Sequence, residues 1–96
     1  MIQDVLKELD DAYTLHVLKE MIRIPSVVGQ ERMLAEYLYA ELQALGWECE
    51  LREVEPGRPN VYARLAGGAP GQRLNLYGHT DTVPVVEGWT AIPLRR

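Results

Sequence analysis

The stretch LNLYGHTDTVPVVEGW, residues 74–89, sets a histidine and an aspartate two positions apart, His79 and Asp81, where an apolar run gives way to threonines, a proline and glycines. A neutral imidazole is a good zinc ligand. A carboxylate beside it can bind the metal too, or accept the second ring N–H, which fixes the tautomer and raises the basicity of the ligand. In an extended segment residues i and i+2 point to one side, so His79 and Asp81 converge while Thr80 faces away. Gly78 leaves room for close approach, and Pro84 with Gly88 stiffens and then turns the loop. The same triplet also fits a polar turn after a buried strand, with Thr80 or Asp81 capping the turn and His79 at the strand exit. Spacing alone does not separate the two readings, because His-x-Asp arises often by chance.

The elements that must position this pair are written in the hydrophobic periodicity. Leu15, Leu18, Met21 and Ile22 recur at spacings of three and four, which predicts an amphipathic helix from Asp11 to Ile24, ended by Pro25. Val5, Leu6 and Leu9 keep the same period, as a separate first turn or as the front of that helix. After PSVVG a second helix is expected between about Gln30 and Leu45, with Leu34, Tyr37, Leu38, Leu42 and Leu45 inward. Glu31, Arg32, Glu36 and Glu41 then face water, and Gly46 stands where a left-handed cap belongs. From Trp47 the period becomes two, with Trp47, Cys49 and Leu51 alternating against Glu48, Glu50 and Arg52. EPGRPN reads as a turn and VYARLA as a second strand, so residues 47–66 form an antiparallel pair. Residues 74–78, LNLYG, read as a third strand covered on both faces. The fold class expected is α/β, with two N-terminal helices packed on the first three strands of a mixed sheet. His79 then follows directly on a strand end, the edge at which open α/β sheets bind ligands.

Bulk properties narrow the function classes. Ninety-six residues hold one small core, since single domains most often run to roughly 100–150 residues. The net charge of −4 and the lack of any basic cluster longer than Arg95-Arg96 argue against a nucleic-acid partner. Acids recur through MIQDVLKELDDAY and no stretch approaches a membrane span, so neither a secretory signal nor a membrane partner is expected, and a cytoplasmic location is the default. Cys49 is the single cysteine. It can form no intrachain disulfide or thiolate cluster, and its place in the alternation marks a small buried residue.

Context beyond the triplet favours the metal reading. LYGHTDTVPVVEGW resembles the metal-binding segment of the metallopeptidase and deacylase family that contains acetylornithine deacetylase, succinyl-diaminopimelate desuccinylase, aminoacylase, glutamate carboxypeptidases and tripeptidases. In that family an apolar strand leads into Gly-His-x-Asp-x-Val-Pro, then a Trp and a Pro; here these are Gly78, His79, Asp81, Val83, Pro84, Trp89 and Pro93. IRIPSVVGQE, residues 22–31, is similar to the family's Ile-Pro-Ser turn between helices, and RPNVYARL to its Asn-containing second strand. Three landmarks in order span most of the chain.

The resemblance implies a larger α/β zinc peptidase catalytic domain, of which residues 1–96 are the N-terminal portion, incomplete at the C-terminus. It implies two zinc ions, with cobalt or manganese as alternative metals. His79 is then a terminal ligand of one ion and Asp81 the catalytic carboxylate behind it, with a glutamate as general base. The substrate class is a small peptide or an N-acyl amino acid, and the full-length form is expected to be a homodimer. In such proteins the bridging aspartate, the paired glutamates, a further acidic ligand and a distal histidine lie past residue 96, and no candidate for them stands in this chain. His16 lies beside the first helix's apolar stripe without a second ligand at i+4. The chain alone is therefore expected to be inactive. The alternatives are a non-catalytic interaction module that docks by its sheet edge, or a dead paralogue. Trp47 is expected in the core, Trp89 beneath the loop, Tyr39 at the surface or at a contact with the missing part, and Arg58 in a solvated turn.

Overall fold

The computed structural model describes residues 1–90. Its helices stop and start where local chemistry dictates. The side chain of Asp10 accepts from the Tyr13 backbone N–H at 3.0 Å and opens helix α2, Asp11–Arg23. Pro25 closes it by forcing the preceding Ile24 to extended geometry, φ −89° and ψ 116°. The residues before Asp10 form a separate short helix, α1, Ile2–Lys7. Helix α3, Arg32–Ala44, ends in a Schellman motif: Gly46 takes φ 90°, its N–H reaches the Gln43 carbonyl at 2.9 Å, and the Trp47 N–H reaches Leu42 at 3.1 Å.

That reversal delivers the chain into a hairpin. Strand β1, Glu48–Glu55, pairs antiparallel with β2, Arg58–Arg64, in a register running from Glu48 opposite Arg64 to Glu55 opposite Arg58, with an irregularity between Glu53 and Glu55. Helix α3 lies on both strands and buries Leu34 and Ala35. Arg32 at its start pairs with Glu53, whose Oε1 also accepts from the Gly57 N–H at 3.2 Å. Helix α2 is joined to α3 by the Tyr13 hydroxyl, which donates to Glu41 at 2.7 Å.

The α/β class and the antiparallel pair agree with the sequence reading, and four of its details change. The helices among the described residues number three, and it is α3 that packs on the sheet; Leu15, Leu18 and Ile22, the stripe of α2, stay half exposed. The turn is limited to Pro56-Gly57, because Gly57 at φ 78° reverses the chain in two residues and lets Arg58, Pro59 and Asn60 enter β2. A two-stranded ribbon is all edge, where proline is tolerated. Glu31 does not face water but is buried just ahead of α3. Residues 74–78 form no strand: Leu74, Leu76 and Tyr77 are exposed, and the sheet is a two-stranded antiparallel ribbon rather than part of a mixed one. A strand covered on both faces needs a paired neighbour and two packing layers, and the described residues offer one hairpin with one helix upon it.

Replacing Gly46 by alanine forces a side chain into left-handed geometry at the joint between α3 and β1. The cost is about 1 kcal/mol, which lowers the midpoint of thermal unfolding by about 4–8 °C for a domain of this size; an unchanged midpoint would refute the Schellman assignment.

Candidate metal centre

Segment 66–90 has no secondary structure beyond one bridge, and its position rests on one strong tie. The Thr82 N–H donates to the Ser26 carbonyl at 2.9 Å, and Val27 and Thr82 form an isolated parallel bridge. Among the described residues this is the one backbone hydrogen bond between that segment and the rest of the chain. It joins the Ile-Pro-Ser turn to the Gly-His-Thr-Asp loop, two motifs far apart in the sequence.

Within the loop, His79 Nδ1 lies 2.9 Å from the main-chain oxygen of Asp81 and 3.3 Å from its Oδ1. A carbonyl can only accept, so this contact requires the proton on Nδ1 and leaves the Nε2 lone pair available. The sequence suggested the carboxylate as the acceptor; the nearer one is the backbone oxygen of the same residue. The imidazole is 77% exposed and the Asp81 side chain 44%. Thr80 turns the other way and lines a cleft with Glu31, Val54, Glu55, Arg58, Pro59 and Asn60. Alternation along 79–81 thus puts the nitrogen ligand and the carboxylate outward and seats the threonine inward.

The floor of that cleft is a two-pronged ion pair. Arg58 donates through Nε to Glu31 Oε1 at 3.1 Å and through Nη2 to Oε2 at 2.8 Å, while its Nη1 reaches Glu55 at 3.1 Å. Arg58 is therefore no residue of a solvated turn. Its hydrogen bonds hold the Glu31 carboxyl down from 4.5 to about 2, against the upward push of burial, with backbone N–H groups of Glu31 and Gly29 adding to the effect. The guanidinium is in turn raised above its ordinary value, chiefly by its bonds to Glu31 and Glu55. Sequence reasoning missed this pair because the partners are 27 residues apart and on different elements, so no local period links them.

The remaining candidates stay apart. Among the described residues no three of His, Cys, Asp and Glu gather as a metal-holding group, so His79 brings one nitrogen and Asp81 one carboxylate. His16 is exposed on α2. Cys49 is half-buried, and its thiol donates to the Trp47 carbonyl at 3.4 Å. Trp89 is 65% exposed and does not lie beneath the loop as expected. Tyr39 is partly exposed, and its hydroxyl accepts from the Gln43 side chain at 2.9 Å. Pro93 and Arg95-Arg96 lie outside the described residues. No helix among the described residues is long and apolar enough to cross a membrane.

Comparison with known proteins gives similarity to succinyl-diaminopimelate desuccinylases and acetylornithine deacetylases. The chain is 36% identical over 88 residues to succinyl-diaminopimelate desuccinylase of Paracidovorax citrulli (strain AAC00-1), covering 83% of this chain and 23% of that protein. It is 39% identical over 85 residues to the desuccinylase of Parvibaculum lavamentivorans, covering 82% of this chain and 21% of the relative. With acetylornithine deacetylase of Vibrio campbellii the identity is 46% over 59 residues, 60% of this chain and 15% of that one. The chain thus spans less than a quarter of the length of these relatives. No family model matches the chain, and no solved structure matches it.

Two measurements check this geometry. Heteronuclear NMR of the metal-free protein at alkaline pH should find His79 as the Nδ1–H tautomer; the Nε2–H form would remove the contact to Asp81. For Glu31 the folded carboxyl is depressed, so its contribution to stability is complete above pH 4.5 and is lost as the pH falls toward about 2. Unfolding followed by circular dichroism should therefore show a flatter loss of stability across that window in Glu31→Gln than in the parent.

Proposed function

The chain belongs to the family of succinyl-diaminopimelate desuccinylase and acetylornithine deacetylase, and on that premise we propose that it is part of a two-zinc hydrolase that cleaves the amide bond of an N-acyl amino acid or small peptide. The observation that carries the site assignment is the outward pair on the loop: His79 with Nδ1 committed to Asp81 and Nε2 open. Support for a larger catalytic domain comes from the apolar side chains of Leu74, Leu76 and Tyr77, which stand ready for covering layers. The finer assignments, zinc as the metal, a cytoplasmic setting and a homodimeric full-length form, belong to the same reading.

The donor set fits one terminal position of such a centre. His79 would hold the metal through Nε2, and Asp81 would keep the ring in the tautomer and orientation that this requires. Zinc, when bound, supplies Lewis-acid polarisation of the amide carbonyl and a water of lowered pKa. Thr80, seated in the cleft, keeps the loop from turning over and so keeps the imidazole outward. One nitrogen and one carboxylate fall short of the usual three protein ligands of catalytic zinc. The remaining ligands and the general base would come from residues outside 1–96, and this chain alone would not hydrolyse substrate.

In the complete polypeptide, His79→Ala should lower the zinc content from two ions to one and abolish hydrolysis of N-succinyl and N-acetyl amino acids. Asp81→Asn, which keeps the ligand and the main-chain acceptor but removes the carboxylate charge 3.3 Å from the ring, should cost about 10–100-fold in metal affinity or activity. Stoichiometric zinc with hydrolysis by residues 1–96 alone would overturn the reading, as would a gene without a downstream Asp and Glu-Glu pair.

A further inference from the structure

The loop that carries His79 meets the described body of the chain through Thr82 and Thr80. Thr82 is hydrogen-bonded to Ser26, and Thr80 lines the cleft floored by Glu31 and Arg58. Both supports converge on one connection. From Val27 the chain makes a tight turn, in which the Gln30 N–H reaches the Val27 carbonyl at 2.8 Å and Gly29 takes φ 90°. Glu31 follows directly, so its carboxylate is held at a fixed offset from the Ser26 carbonyl. The fork of Arg58 then grips both oxygens of that carboxylate from β2. A bidentate guanidinium fixes the plane of its partner as well as the distance, which a lysine ammonium cannot do. Glu31 is 6% exposed, so an unpaired carboxylate there is costly and the grip is enforced.

We infer that Arg58 is a positioning residue for the His79–Asp81 loop: closed on Glu31, it locks the Ser26–Glu31 connection to the hairpin and thereby sets where the imidazole stands. The inference rests on the proposed role of His79, while its mechanical part stands without any metal. Arg58 touches neither His79 nor a reacting atom. Its effect passes through Glu31 to the turn and from Ser26 to Thr82, with Thr80 resting on the same floor.

Arg58→Lys tests this, because it keeps the charge and removes the fork. The Arg32–Glu53 pair remains to hold α3 on the hairpin. In the metal-free protein the Thr82 amide should exchange with deuterium about tenfold faster relative to the Leu38 amide in α3. In the complete polypeptide zinc affinity should fall by about tenfold, the scale on which supports of metal ligands act. Gly46→Ala, destabilising but remote from the loop, should leave both the exchange ratio and the zinc affinity unchanged. Should Arg58→Lys fail to fold, Glu31→Gln breaks the same clamp from the other side and must raise the same ratio. An unchanged Thr82 ratio in a folded clamp variant overturns the proposal, as does an equal rise in Gly46→Ala. Zinc that is bound by the parent, lost in His79→Ala and retained at full affinity in Arg58→Lys sinks the positioning role and leaves the hydrolase reading intact. A loosened Thr82 in Arg58→Lys, together with a complete parent polypeptide that binds no zinc, supports the clamp and sinks the hydrolase reading.

Discussion

A carboxylate taken out of water must find a charge or give up its own, and in this chain that requirement falls on Glu31. Arg58 answers it with two hydrogen bonds from the first residue of β2. The pair joins the start of α3 to the far end of the hairpin, while the Schellman turn at Gly46 joins the end of α3 to the hairpin's beginning. Helix and ribbon are thus fastened at both ends, with Leu34 and Ala35 closed between them. With so thin a hydrophobic core, directional polar contacts carry a larger share of the specification than they would in a bigger domain.

What the sequence made legible follows the range of each interaction. Helix ends are decided within a few residues, so Pro25 and Gly46 could be read as punctuation and stand within a residue or two of where the chain turns, while the Asp10 cap shows only in the structure. The alternation through Cys49 and Leu51 marked β1 for the same reason. Glu31 illustrates the opposite case: a helical wheel placed it outward, whereas its environment is set by an arginine from another element. LNLYG was read as a strand covered on both faces, yet pairing is a property of neighbours, and the described residues provide none.

The candidate site divides along the same line. The i, i+2 rule brought His79 and Asp81 together on one side because it needs nothing but extended backbone. Which oxygen of Asp81 comes closest depends on loop torsions that no residue-type pattern encodes. That the Gly-His-Thr-Asp loop would lean on the Ile-Pro-Ser turn was invisible to periodicity, although both stretches were already part of one family resemblance. Relatives that cover most of this chain carry the same two deacylase names, which agrees with that resemblance at the level of the family.

The bare stretch from Leu74 to Tyr77 also bears on how the polypeptide survives its own synthesis. Among the described residues its backbone amides find no partner, and its apolar side chains stand exposed with no charge between them. Those are the properties that let identical chains stack into intermolecular β-structure before native partners arrive. Arg73, immediately ahead of it, is placed as a gatekeeper, since stacking the segment in register would bring like charges together. That single cation is therefore the one charge that opposes in-register stacking between Gln72 and Thr80.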